Sequence, residues 1–338
     1  MRRNFLKTAL AAVMTLAFAG APAMAQVKTI KISHQFPGGT IDDGDFRDRL
    51  VRKFAAEVEK KTNGLLKFEI YPAASLMMPV PQYKAVSTGA LDMALYPLAY
   101  AGGEFPAANL TLMPALITSY EQGLRWKDAP IGKELVRLLD ERNVKIVTWV
   151  WQAGGIASKA KPLVAPDDAK GMKVRGGSRE VDLMTKAAGA AVTNVASNEI
   201  YSAMQSGVLD AAVTSSTSLI SFRLHETSDY LTAGRKHSFW FMFEPLLMSK
   251  KAYDSLTPAQ QKIVMEVGAS LEKFGMEAAK IDDERVVEVY TKAGRKVVDM
   301  DQAAFDKWRE VAKASAWKDF EEKVKDGKAL FEMAVAVK

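Results

Sequence analysis

The chain has 338 residues, a formal net charge of +6 and no cysteine. Without cysteine there are no disulfides, no thiol nucleophile and no thiolate metal site, and His34, His225 and His237 lack metal-ligand spacing. Basic residues are interleaved with acids, as in Glu57-Val58-Glu59-Lys60-Lys61, which reads as a solvated helix face and excludes a nucleic-acid patch.

At the start, Arg2, Arg3 and Lys7 flank an apolar run from Ala9 to about Gly20, and Ala23-Met24-Ala25 is a small-residue cleavage site. Residues 1–25 are therefore expected to be a signal peptide, leaving Gln26 first in a mature chain of about 313 residues, enough for two domains. Three basic residues leave with the signal and no acid does, so the mature charge falls to about +3. The apolar run is too short to span a bilayer comfortably. Arg2-Arg3-Asn4-Phe5-Leu6-Lys7 also fits a twin-arginine signal and folded export, while ordinary unfolded export fits equally. Either route predicts a periplasmic protein.

Val27–Ser33 alternates like a strand, and Phe46–Lys61 is an amphipathic helix with Leu50, Val51, Phe54 and Val58 on one face. Asp42-Asp43-Gly44-Asp45 between them lacks the alternating ligands and closing Glu of a calcium loop, so no metal is expected there. Leu66–Tyr71 is a second strand. The segment Tyr83–Ala94 then recurs as Tyr201–Ala212 at an offset of 118 residues, with Tyr, Ala, Gly, Leu, Asp and Ala kept in place. Each copy reads as a helix stopped by glycine, then a turn into a buried strand. Two copies are too few for a solenoid and point to two similar lobes with a cleft between them. The strand ends that follow, Tyr96 and Thr214, are cleft-wall candidates, because ligands sit beyond the carboxyl ends of strands in α/β sheets.

A helix over 131–142 leads to an apolar strand, Val144–Trp151, which Gly154-Gly155 is expected to break. Met172–Arg175 is a short strand, followed by Gly176-Gly177-Ser178 and a helix over 179–188. A strand over 191–195, a helix capped by Ser197, a hydroxyl-rich strand end at Thr214–Thr217 and an aromatic strand at Phe239–Phe243 come next. Thr257-Pro258 starts a helix with no strong breaker before about Lys292, ~50 Å long if continuous. The alternation of strands and helices argues an α/β fold.

No nucleophile elbow, zinc-protease motif or Walker loop is present, and a binding protein accounts for that more simply than an enzyme. Arg175 is the polar group to single out. It ends a strand, two glycines let a ligand approach, and its fork matches a carboxylate. A structural arginine paired with an acid such as Glu199 fits the same residues.

The Asp-x-Lys-Gly turn before Lys173-Val174-Arg175, the run Glu199–Asp210 and the helix start Leu256–Lys262 together resemble the periplasmic solute-binding proteins of TRAP transporters, the DctP-type family. The resemblance implies a two-lobed periplasmic binding protein fold with a central cleft and a long helix spanning both lobes. It implies no cofactor and no enzymatic activity, and it implies delivery of small organic acids to a small and a large integral membrane subunit. The protein is expected to be a monomer. Residues 26–150 plus 238–278 are assigned to the first lobe and 151–237 plus 279–338 to the second. The family's selectivity arginine falls on Arg175, which would form a salt bridge to the substrate carboxylate; Glu199 reads as a supporting residue. Thr214 stands where many members carry Asn, and Gly154 or Gly155 stands near the place of a further Arg, which argues against sugar acids. Gln35, Phe36, Tyr96, Trp151, Gln152, Thr214, Ser215, Phe239 and Trp240 complete the expected ligand set. Aromatic walls favour a compact monocarboxylate, either an aromatic acid or a branched 2-hydroxy or 2-oxo acid. Two other readings fit: an extracytoplasmic α/β enzyme acting on a carboxylate, and a ligand-sensing periplasmic receptor without transport.

Overall fold

The computed structural model describes residues 27–338. The expected signal peptide and its twin-arginine motif lie outside the described residues. Twelve strands occur among the described residues: β1 (Lys28–Ser33), β2 (Leu66–Tyr71), β3 (Met93–Leu95), β4 (Val144–Thr148), β5 (Trp151–Ser158), β6 (Lys173–Arg175), β7 (Ala191–Val192), β8 (Ala211–Ser215), β9 (Tyr230–Ala233), β10 (Phe241–Phe243), β11 (Leu246–Ser249) and β12 (Lys296–Asp299). They form two sheets, ordered β2-β1-β3-β11-β4 and β12-β9-β5-β8-β6-β7, with β10 paired to β5. The chain crosses between them at Trp149-Val150 and again at Glu244-Pro245, where the Glu244 amide donates to the Val150 carbonyl at 2.8 Å.

The repeated segment does the same structural work in each lobe. Gly89 (φ 72°) and Gly207 (φ 76°) take the left-handed conformation after their helices, which costs glycine little. Leu91 and Leu209 are buried. Asp92 accepts from the Lys31 amide at 2.9 Å, and Asp210 accepts from the Lys173 amide at 2.8 Å. Each aspartate thus ties its own strand to a parallel neighbour, β3 to β1 and β8 to β6.

Helix Phe46–Lys61 forms as its periodicity predicts, with Asp45 capping it and Leu50, Val51, Phe54 and Val58 buried. Thr257 caps Pro258–Ser270, and its amide donates in return to the Gln260 side-chain oxygen. The expected continuous helix is interrupted at Leu271 (φ −90°, ψ −6°), and a second helix runs Glu272–Lys292. This second helix spans the lobes: Ala278 and Ala279 pack in the first core and Val286 and Tyr290 in a second-lobe core.

Several local expectations are corrected. Gly154 and Gly155 do not break a strand but lie inside β5. A Cβ on Gly154 would fall 2.5 Å from the Thr214 carbonyl and from the Trp240 ring, and one on Gly155 would fall 2.7 Å from the Thr232 carbonyl. They mark close backbone approach. Thr214–Thr217 is not all strand, because the Ser215 hydroxyl caps a helix, Ser216–Ser221. The last helices do not stay on the second lobe, where the division of residues 279–338 would put them. Phe305 and Trp308 pack there, but Phe320, Leu330, Phe331 and Ala334 enter the first core, since that apolar face meets the helix Pro130–Asp140.

Candidate functional site

Arg175 ends β6, between β8 and β7. Its side chain is buried, 1% exposed. Nε donates to the Val195 carbonyl at 3.0 Å, Nη1 to the Val213 carbonyl at 2.8 Å and Nη2 to the Tyr100 hydroxyl at 2.8 Å. None of these acceptors is charged, and among the described residues no acid forms an ion pair with this guanidinium. Three of five N–H groups are used, leaving one on each terminal nitrogen. The alternative of a structural Arg175–Glu199 pair is not what forms. Glu199 Oε2 instead accepts from the Ala196 amide at 3.0 Å, holding the segment that carries the Val195 carbonyl.

The turn after Arg175 is fastened at both polar groups of Gly176. Its amide donates to Asp182 Oδ1 at 3.0 Å and its carbonyl accepts from Trp240 Nε1 at 2.9 Å. Gly177 has φ +91°, and a Cβ there would lie 2.5 Å from Arg175 Nη1. Glycine is therefore needed to admit the guanidinium itself, as well as for the turn. Burial pushes the Asp182 carboxyl up to about 6, opposed by the Gly176 amide and by the charge of Arg175. An open cavity of about 480 Å³ adjoins the turn after Arg175, with Val80, Tyr100 and Asn109 from the first lobe and Gly177, Asp182 and Val195 from the second among its walls; Arg175 itself does not line it.

A second buried arginine, Arg47, joins the lobes. Its guanidinium bonds Asp45 through Nε at 2.9 Å and Nη2 at 2.7 Å, and Nη1 reaches Glu244 at 3.4 Å, Ser218 at 3.1 Å and Ser215 at 3.4 Å. It lies 3.5 Å from the centroid of the Phe36 ring. Gln152 Nε2 donates to Glu244 Oε2.

The expected ligand residues thus divide. Tyr96 packs edge-on to Tyr100, centroids 6.1 Å apart, and its hydroxyl donates to the Val80 carbonyl at 3.0 Å. Thr214 follows Val213 on β8, while Trp240 and Glu199 hold backbone beside Arg175. Phe36, Gln152 and Ser215 gather around Arg47. Gln35 is 2% exposed, and neither of its amide atoms has a protein partner among the described residues. Trp149 lies in the crossing after β4 and Trp151 opens β5; both rings pack against Phe243, at 4.7 and 5.0 Å, and Trp151 also meets Trp126 at 5.3 Å in the first core. Phe239 packs on Trp308 at 5.0 Å.

The sequence reading missed two residues, Tyr100 and Arg47. Arg47 carried a signal: a cation in the first turn of a helix opposes the helix dipole, which points to an acidic partner. Tyr100 sits four residues beyond Tyr96 and was overshadowed by it.

Burial pushes the Glu244 carboxyl up to about 7 against the pull of Arg47. A carboxyl held above its ordinary range binds its proton more tightly in the folded chain. Its stabilising contribution is complete below the unfolded value, near 4.3 for glutamate, and is lost as the pH rises through about 7. Glu180 at about 7 and Asp283 at about 6 act in the same sense, both through burial. Unfolding free energy from urea titration is therefore expected to fall from about pH 5 to about pH 8. Glu244→Gln should flatten that fall by about 3 kcal/mol; an unchanged slope would show that Glu244 is not its source.

Residues 41–323 match the family model of bacterial extracellular solute-binding protein, family 7 (DctP). A solute-binding protein of Albidiferax ferrireducens is 59% identical over 298 residues, 88% of each chain. The C4-dicarboxylate-binding periplasmic protein DctP of Rhodobacter capsulatus is 26% identical over 280 residues, 81% of this chain and 80% of that one. The crystal structure of a TRAP periplasmic solute binding protein from Rhodoferax ferrireducens, with bound malonate, matches with a TM-score of 0.90 at 57% identity, covering 91% of this chain and 98% of that chain.

Proposed function

We propose, since this chain belongs to family 7 of the bacterial extracellular solute-binding proteins (DctP), that it is the extracytoplasmic receptor of a TRAP transporter and takes a small organic carboxylate on Arg175. The family is one of receptors and not of enzymes. The observation that carries the proposal is the Arg175 guanidinium, buried against neutral oxygens with two N–H groups to spare. A cation withdrawn from water without a counter-charge is costly by several kcal/mol, and a carboxylate supplies both the charge and two acceptors. The loaded, closed receptor would then dock on the small and large membrane subunits.

The Rhodoferax relative holds malonate, a three-carbon dicarboxylate, which favours a short acid here. Trp151 and Phe239, counted on as apolar walls, are engaged in the two cores, which weakens the case for an aromatic ligand. Gln35, with both amide atoms buried and without a protein partner, is the candidate for a second oxygen function on the solute. A thermal-shift panel containing malonate, other short dicarboxylates, branched 2-hydroxy and 2-oxo acids, aromatic acids and neutral sugars tests the reading. A solute at 100 times its Kd should stabilise by about 2.7 kcal/mol, or roughly 4 °C for a chain of this size. A shift with a neutral sugar and with none of the acids would overturn the assignment.

A further inference from the structure

Resting on the carboxylate-receptor reading, we infer that Tyr100 is the positioning residue through which lobe closure and anion binding become one event. Tyr100 belongs to the turn Leu98–Gly103, directly after β3 of the first lobe. Its hydroxyl accepts from two groups of the second lobe, Arg175 Nη2 at 2.8 Å and the Ser197 amide at 3.0 Å. Both acceptor positions of the phenol oxygen are then filled, and only its own proton remains to donate.

The two carbonyls that hold Nε and Nη1 belong to the same lobe as Arg175. They stay with it whether the lobes are open or closed. The third bond exists only when the first lobe has come over. With it, all three nitrogens of the guanidinium are tied and the plane cannot turn. Its two spare N–H groups are then fixed in direction for a carboxylate. The ring of Tyr100 is braced from behind by Tyr96, interplanar angle 87°, whose hydroxyl is fastened within the first lobe. The phenol therefore moves with that lobe as a unit.

A neutral hydroxyl suits this task. A carboxylate in its place would neutralise Arg175 and compete with the solute. The phenol organises the cation without cancelling its charge, so closure without an anion leaves a buried charge uncompensated, while closure over an anion does not. The anion shifts the equilibrium by its differential affinity for the closed form, and by linkage a contact that favours closure raises anion affinity equally.

The test measures malonate binding to the full mature chain by stopped-flow and calorimetry. Lobe separation is followed by energy transfer between dyes on cysteines placed at Lys61 and Lys307, which the absence of native cysteine makes clean. Tyr100→Phe is expected to raise the malonate dissociation rate and weaken affinity about 10- to 100-fold. The association rate should change little, and the saturated protein should be less closed. Tyr83→Phe serves as control: it removes a buried hydroxyl without a protein partner from the same aromatic group and should move neither rate nor distance. Unchanged dissociation and closure in Tyr100→Phe would overturn the inference while leaving the receptor reading intact. Wild-type protein that binds neither malonate nor any acid of the panel would overturn the receptor reading, and the inference with it.

Discussion

Replacing Arg175 by methionine is expected to abolish binding of whichever acid stabilises the wild-type protein. Two charge-assisted hydrogen bonds, each worth about 1.5–3 kcal/mol, meet the solute in a site shielded from water. Their loss corresponds to roughly two to four decades in Kd. Methionine fills similar volume but leaves the Val195 and Val213 carbonyls without their donors, so the variant should also be less stable, by about 1–3 kcal/mol for each carbonyl that water cannot reach. Affinity is therefore to be read only where circular dichroism and urea titration show a folded chain. Arg175→Lys separates charge from geometry: an ammonium keeps the cation but cannot serve both carbonyls, Tyr100 and a two-oxygen acceptor at once. It should bind weakly, with a loss of at least tenfold. Wild-type affinity in the lysine variant would mean that a point charge suffices. Wild-type affinity in the methionine variant would mean that the acid binds elsewhere.

Much of this arrangement was legible in the chain because its cues are local. The Gly-x-Leu-Asp ending of each repeat names a helix stop, a buried anchor and a strand cap within four residues, and Asp92 and Asp210 do the same work in the two sheets. Thr257-Pro258 announces its helix in the same way. Arg175 was legible from a strand end followed by two glycines, although the reason for Gly177 was only half seen. What was not legible depends on partners distant in sequence. Gly154 reads as a breaker until the Trp240 ring and the Thr214 carbonyl are found against it. Trp151 reads equally as cleft wall or core, since alternation says which residues share a face but not what that face meets. Tyr100 gains its role from a guanidinium 75 residues away, and no local pattern encodes that meeting.

Arg47→Met is expected to be the most destabilising single change outside the hydrophobic cores. Arg47 is fully buried between Asp45, Glu244 and the hydroxyls of Ser215 and Ser218. Removing one partner of a buried ion pair leaves the other uncompensated, at about 3–5 kcal/mol, here a fall in melting temperature of roughly 5–8 °C. Asp45 keeps part of its support, because it accepts from the Arg47 amide as the helix cap at 2.9 Å. Among the described residues Glu244 has only Gln152 left. Its escape is protonation, which its raised range of about 7 already favours. The cost of Arg47→Met should accordingly be smaller near pH 5.5 than near pH 8. For the same reason Glu244→Gln alone should cost little near pH 5.5, and in the double variant it should rescue part of the loss at pH 8, with a coupling of about 1 kcal/mol or more. Urea titration of the four proteins at the two pH values decides it. A cost below about 1 kcal/mol at pH 8, or strict additivity, would show that the cluster is solvated and that the lobes are not joined through it. Either result would also bear on closure, since the Arg47 bonds to Ser215 and Ser218 are what tie the start of the helix Phe46–Lys61 to the second lobe.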